Sequence, residues 1–265
     1  MNSRCRLALV QMLVEPGQME ANLTRAEERV REAAARGAQL VVLPEALDCG
    51  WTHPSAREHA GPIPGGAACE RLRAAARREG VHLCAGLIEA AGEQRFNAAV
   101  LFSPEGHLLL HHRKIHELDL AHDLYCRGDR LAVAQTPLGT LGVMICADAF
   151  APGEVISRTL ALMGAQLIVS PCAWAVPADH DQAREPYGEL WRGCYGRVAC
   201  EYGVWIAGAS NVGPITAGAW AGRKCIGCSL VVGPEGSSVA QAPYGENAES
   251  LLVVDVSLSR DTHGL

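Results

Sequence analysis

Leu141-Gly142-Val143-Met144-Ile145-Cys146-Ala147-Asp148 is an apolar run that stops at a thiol and an acid. Read as a strand over 140–146, it carries Cys146 to the edge of a sheet, where a substrate can reach it. Two other segments share this design. Leu40-Val41-Val42-Leu43-Pro44-Glu45 ends on a carboxylate, and a strand over 107–112 runs into Arg113-Lys114-Ile115-His116, where Lys114 supplies a cation. An acid, a fixed cation and a nucleophile are the minimum for attacking a carbonyl or nitrile carbon through sulfur.

The surroundings of these segments predict the fold class. A short apolar strand over 6–11 leads to an amphipathic helix over 20–36, with Leu23, Ala26, Val30 and Ala33 on one face. Glu27 and Arg31 are spaced for an i,i+4 pair on the outer face. Gly37 stops the helix, and a β-branched strand over 39–43 follows. After Pro64-Gly65-Gly66 comes a second helix with Leu72, Ala75 and Ala76 inward, then a strand over 81–87. Ser103-Pro104-Glu105-Gly106 and Thr136-Pro137-Leu138-Gly139 are turn sequences. They join strands over 96–102 and 107–112, and over 131–135 and 140–146. A helix over 153–163, a strand over 166–170 and a longer helix over 182–201 come next. Strands over 204–209, 227–232, 237–241 and 251–256 finish the chain. Alternating helices and strands with inserted hairpins predict an α/β fold of mixed sheets with helices on the outer faces. No linker, fixed-period repeat or low-complexity tract interrupts 1–265, so a single domain is expected.

Composition narrows the function. The 265 residues carry 23 bases and 29 acids, a net charge of −6, which disfavours nucleic acid as a partner. The apolar stretch 7–14 contains Gln11 and leads to Glu15-Pro16-Gly17 without a small-residue cleavage site. The stretch 159–176 is cut by Gln166 and Pro171, so no membrane association is expected. These features place the protein in the cytoplasm and make its eleven cysteines free thiols. His107, His111, His112, His116 and His122 crowd one region, but adjacent residues on a strand point to opposite faces, and no metal is expected. Cys225-Ile226-Gly227-Cys228 has redox spacing but lacks the following helix that would lower a thiol pKa. The glycine-rich stretches fit neither a phosphate-binding loop nor a dinucleotide fingerprint.

The three groups divide the chemistry among them. Cys146 is the candidate nucleophile, and a turn after it would aim backbone N–H groups such as that of Ala147 at a developing oxyanion. Glu45 is placed to take the thiol proton and return it to a departing amine. Lys114 is a point charge for the tetrahedral intermediate.

In order and spacing, Pro44-Glu45, Arg113-Lys114-x-His116 and Gly142-Val143-Met144-Ile145-Cys146-x-Asp148 resemble the three signatures of the nitrilase superfamily, the carbon–nitrogen hydrolases. Ala8-Leu9-Val10-Gln11, Asn97-Ala98-Ala99-Val100 and Gly233-Pro234-x-Gly236 extend the resemblance over nearly the whole chain. The resemblance implies a four-layer α-β-β-α sandwich and a Glu45–Lys114–Cys146 triad. It also implies acyl-enzyme chemistry with no metal or organic cofactor, and a homodimer or higher homo-oligomer. In the resembling fold the strand end at Cys172 lines the pocket, which makes Cys172 and its neighbour Trp174 candidate substrate contacts, and Asn211, after Gly208-Ala209-Ser210, is a similar candidate. Two departures stand out. Ala147 occupies a place where many members carry an aromatic residue. The second glutamate of many members falls near Ala121, and Glu117, the nearest acid, either substitutes for it or leaves the role unfilled. The expected function is thiol-dependent hydrolysis of a small amide or N-carbamoyl compound. The alternatives are a nitrilase, an acyl transferase to amines, or a silent binding or scaffold protein.

Overall fold

Alternation along the first strands divides the interior into two layers of core. In the computed structural model, which describes residues 3–258, β1 (Ser3–Gln11), α1 (Met19–Ala35) and β2 (Leu40–Val42) form a strand–helix–strand unit. The short helix α2 (Ala56–His59) precedes α3 (Ala67–Glu79), β3 (His82–Ala91), β4 (Gln94–Phe102) and β5 (Leu108–Arg113). Leu7, Leu9, Leu40, Val42 and Cys84 face inward. Their neighbours Ala8, Val10, Val41, Leu43 and Leu83 face outward and are covered by Leu23 and Val30 of α1 and Leu72 and Ala76 of α3. Burial on both faces is why these strands read as continuous apolar runs.

The second half repeats the plan. β6 (Val133–Thr136), β7 (Gly139–Val143), α4 (Val155–Leu162), β8 (Leu167–Cys172), β9 (Ala175–Val176), α5 (Glu189–Tyr202) and β10 (Trp205–Ser210) come first. β11 (Val212–Pro214), β12 (Lys224–Ile226), β13 (Leu230–Val232), β14 (Ser238–Gln241) and β15 (Ser250–Leu258) follow. The sheet orders are β15-β1-β2-β3-β4-β5 and β14-β13-β10-β8-β7-β6. In each, a parallel centre is flanked by antiparallel strands. The inner face of the first sheet shares one core with the second sheet and with Ile156 and Leu160 of α4 and Trp191, Val198 and Ala199 of α5. The result is a four-layer α-β-β-α sandwich, as the resemblance implies. Among the described residues no helix is long and apolar enough to cross a membrane.

Several local expectations are corrected. β7 ends at Val143, not at Cys146. Cys146 instead opens a 3₁₀ turn over Cys146–Phe150. α5 begins at Glu189 because Pro186 and Gly188, the latter at φ +111°, interrupt the segment before it. Glu27 bonds Arg71 of α3 at 2.8 Å and clips α1 to α3, in place of the pair with Arg31. The strand expected over 227–232 starts only at Leu230, because Gly227 and Cys228 both have positive φ. A Cβ on Gly227 would lie 2.2 Å from Gln11 Nε2, so only glycine fits there. The small third sheet, β11-β12-β9, was not expected, since two- and three-residue strands carry no readable period.

Candidate active site

Cross-strand pairing assembles the charged part of the site. β4 and β5 pair with Ala98 opposite Arg113, and the next step, Lys114 N–H to Asn97 O at 2.8 Å, sets Lys114 opposite Asn97. Opposed residues present their side chains on one face. Lys114 Nζ and Asn97 Nδ2 both donate to Glu45 Oε1, at 2.7 and 2.6 Å. All three side chains are buried. Burial works against the Lys114 charge, but Glu117 and Glu45 outweigh it and hold its pKa well above the ordinary lysine value. The Lys114 ammonium also lies 5.7 Å from the centre of the Trp51 ring.

Glu45 is placed by backbone contacts with both sheets. Its N–H donates to Cys172 O of β8 at 3.2 Å, while Gly86 N–H of β3 donates to Pro44 O at 3.0 Å. Gly86 permits this approach: a Cβ there would sit 2.5 Å from Glu45 Cα and 2.7 Å from Pro44 O. Gly86→Ala is therefore expected to push Glu45 out of register. Overpacking of this kind typically costs about 1–3 kcal/mol, and a carboxylate displaced by 1 Å can lose about 10²-fold in rate. Denaturant unfolding and kcat of the variant check both.

Asp148 fastens the thiol to the lysine segment. Cys146 takes φ +42°, a left-handed conformation that costs a non-glycine residue about 1–2 kcal/mol. Asp148 accepts Ile145 N–H at 2.9 Å on Oδ2, and Ile115 and His116 N–H at 3.1 and 2.8 Å on Oδ1. His112 Nε2–H donates to Oδ2 at 2.8 Å. Burial pushes the Asp148 carboxyl up, but His112 and the backbone donors outweigh it and hold the group below the usual range. Cys146 N–H is used by Ser170 Oγ at 3.0 Å. Ala147 lies in the first turn of the 3₁₀ helix, where N–H groups have no intrahelical acceptor.

Burial, reinforced by Cys172 and Glu45, pushes the Cys146 thiol pKa well above its ordinary value, with Lys114 pulling the other way. The resting sulfur is therefore a neutral thiol and needs a base to become a nucleophile. Glu117 joins the site at 3.7 Å from Lys114 Nζ. Burial pushes its carboxyl up to about 7, against the pull of Lys114. Ala121 lies in a separate apolar cluster with Trp51 and Tyr125.

Of the candidate substrate contacts, Cys172 is fully buried, with its sulfur 3.4 Å from Ser170 Oγ. Trp174 stacks on Trp191 at 4.7 Å between centroids, and its indole nitrogen has no hydrogen-bond partner. Asn211 is buried, and its Oδ1 is likewise unpartnered. His111 and His112 do point to opposite faces, toward Glu89 and Asp148 respectively. Among the described residues no three His, Cys, Asp or Glu side chains are grouped to hold a metal ion. Asn97, Trp51 and the His112–Asp148 pair were missed as site residues. Asn97 carried two signals, a lone polar residue in an apolar strand and its place in the Asn97-Ala98-Ala99-Val100 stretch of the resemblance, and neither gave it a role.

Over residues 6–262 the chain matches the family model for the carbon-nitrogen hydrolases, and it is an enzyme of that family. It is 33% identical over 261 residues to a protein of Pyrococcus abyssi named nitrilase, covering 97% of this chain and 92% of that one. It is 32% identical over 269 residues to the omega-amidase NIT2 of Xenopus tropicalis, covering 97% and 90%. A variant of the amidase from Nesterenkonia sp. AN1 in complex with butyramide superposes with a TM-score of 0.81 at 28% identity, covering 96% and 91%. Another variant of that amidase carries the acetamide moiety of fluoroacetamide covalently added at its active-site cysteine (TM-score 0.81, 27% identity, covering 96% and 90%).

Proposed function

We propose that this enzyme hydrolyses small amides through a thioester on Cys146. The observation that carries the proposal is the buried contact of Lys114 Nζ with Glu45 Oε1 at 2.7 Å, beside a thiol held on a left-handed turn. Both bonds to Glu45 fall on Oε1, and Oε2 is the atom we assign to the thiol proton. Glu45 deprotonates Cys146, and the sulfur attacks the amide carbon. Lys114 and the Ala147 N–H hold the oxyanion, a contribution of about 10²–10³ in rate for one donor. The proton on Glu45 passes to the departing ammonia or amine. Water, activated by the same carboxylate, then releases the acid from the thioester. Glu117 serves as an auxiliary acid beside Lys114.

The amidase ligands and the omega-amidase relatives support an amide as substrate, with N-carbamoyl compounds as the related class. The Pyrococcus relative's name supports a second reading, attack on a nitrile by the same thiolate. Assaying ammonia and carboxylic acid from matched amides, N-carbamoyl amines and nitriles tests the choice. Amide turnover above nitrile turnover is expected, and the reverse ranking overturns the amide reading. A silent scaffold is disfavoured because a buried ion pair is costly to retain without use. The proposal extends to a homodimer in the cytoplasm; eleven unpaired thiols support a reducing compartment.

Glu117 gives this site a pH signature. The unfolded chain gives up this proton near 4.5, whereas the folded protein holds it to about 7. Between those values the folded state binds more protons, so the stability contribution is full below about 4.5, falls as pH rises, and levels off above about 7. The span corresponds to roughly 3 kcal/mol. Asp48, raised to about 6 by burial, adds to the same slope, so Glu117→Gln is expected to make the fall in unfolding free energy across this window shallower, as measured by urea titration at successive pH values.

A further inference from the structure

Cys172 is a buried thiol that the proposed chemistry leaves idle, and it shares the Ser170 hydroxyl with Cys146. β7 and β8 run parallel with Val143 opposite Val169, and Met144 N–H donates to Val169 O at 3.1 Å. Three residues beyond that pair stand Cys146 and Cys172. A disulfide spans a Cα separation of about 4.4–6.8 Å, and Cys146, on the turn beyond the end of β7, is brought toward Cys172 by Ser170. Ser170 ties the two residues together: its Oγ accepts Cys146 N–H at 3.0 Å and lies 3.4 Å from Cys172 Sγ. Burial first, and then Cys172, pushes the Cys146 thiol pKa up. Tyr195 OH, 3.7 Å from Cys172 Sγ, backs the pair. Cys146 is 9% exposed and Cys172 is 0% exposed, so an oxidant meets Cys146 first.

We propose that Cys146 and Cys172 form a reversible disulfide under hydroperoxide, which switches the enzyme off and shields its nucleophile from over-oxidation. The proposal deepens the catalytic reading and rests on Glu45 serving as the base of Cys146. With its proton on Glu45, the Cys146 sulfur attacks one peroxide oxygen. The S–O bond forms, the O–O bond breaks, and the departing hydroxide leaves as water after taking that proton. The Cys172 sulfur then attacks the sulfenic sulfur of Cys146. The S–S bond forms, the S–O bond breaks, and hydroxide leaves as water with the Cys172 proton. With hydrogen peroxide as the hydroperoxide, two thiols and one peroxide give one disulfide and two waters. A dithiol reverses the reaction. Without Cys172 the sulfenic acid stays open to a second peroxide and to irreversible sulfinic acid.

The test treats the full chain with hydrogen peroxide, blocks remaining thiols with iodoacetamide, and maps the unreduced digest by mass spectrometry. The expected result is a linked Cys146–Cys172 peptide, two hydrogens lighter than its parts. Activity should fall by more than about 10-fold and return to near its starting value on dithiothreitol, while Cys172→Ala loses activity that dithiothreitol does not restore. Sulfinic acid on Cys146 with no linked peptide, Cys172 joined to another thiol such as Cys84, or full recovery of Cys172→Ala overturns the proposal. The wild-type map stands even if the variant fails to fold. A linked peptide in an enzyme whose Cys146→Ala variant still turned over would sink the catalytic reading alone.

Discussion

Cys146→Ala is expected to give a folded protein with turnover reduced by about 10⁴-fold or more, because removing the proposed nucleophile abolishes the covalent route as a whole. The structure explains why the fold survives. The Cys146 backbone is fixed by Ser170 Oγ on its N–H and by Asp148 on the preceding residue, and neither contact involves the thiol. Alanine keeps the Cβ at φ +42°, so the turn is no more strained than before. Losing one buried sulfur costs about 1 kcal/mol, in the range of other small truncations in a core. Thermal unfolding and single-turnover kinetics on one preparation separate the two effects. A melting temperature near wild type with no product is the expected pair of results.

Lys114→Met is expected to lower both stability and rate. Methionine fills much of the same volume, yet it removes the cation that faces Glu45 at 2.7 Å and Glu117 at 3.7 Å. Breaking a buried ion pair from one side costs about 3–5 kcal/mol, because the remaining charge has no partner. Asn97 alone then donates to Glu45 Oε1. Loss of the proposed oxyanion contact adds a decrease of about 10²–10³ in kcat. The double variant Lys114→Met/Glu45→Gln should be less destabilised than the sum of the two single variants, since it removes both charges of a coupled pair. Urea unfolding of the four proteins closes this cycle. Strict additivity would mean that the contact carries no coupling.

Much of this arrangement was legible before any coordinates. Glu45 and Cys146 each follow an apolar run, Lys114 follows a readable strand, and the strand–helix–strand unit over β1, α1 and β2 shows its periodicity plainly. What stayed hidden depends on contacts between distant segments. Asn97 is one polar residue in a strand until the register of β4 and β5 sets it beside Lys114. Asp148 reads as a strand-end acid, whereas its work is to gather N–H groups from Ile145, Ile115 and His116. The end of β7 at Val143 is equally invisible, because Met144 and Ile145 are as apolar as the strand before them. Glu27 had a suitable partner four residues along its own helix, and the fold gave it Arg71 on α3 instead. Local pattern reports which face is buried; it does not report which neighbour arrives there.

In the proposed mechanism, acyl transfer passes through the sulfur of Cys146. Mixing the enzyme with a slowly turned-over amide, quenching in acid within milliseconds and mapping the digest by mass spectrometry tests it most directly. The acyl group on the Cys146 peptide, formed before product and decaying as acid appears, is the expected result. Product release with no acylated Cys146 at any time, or acyl groups on another cysteine, would contradict it.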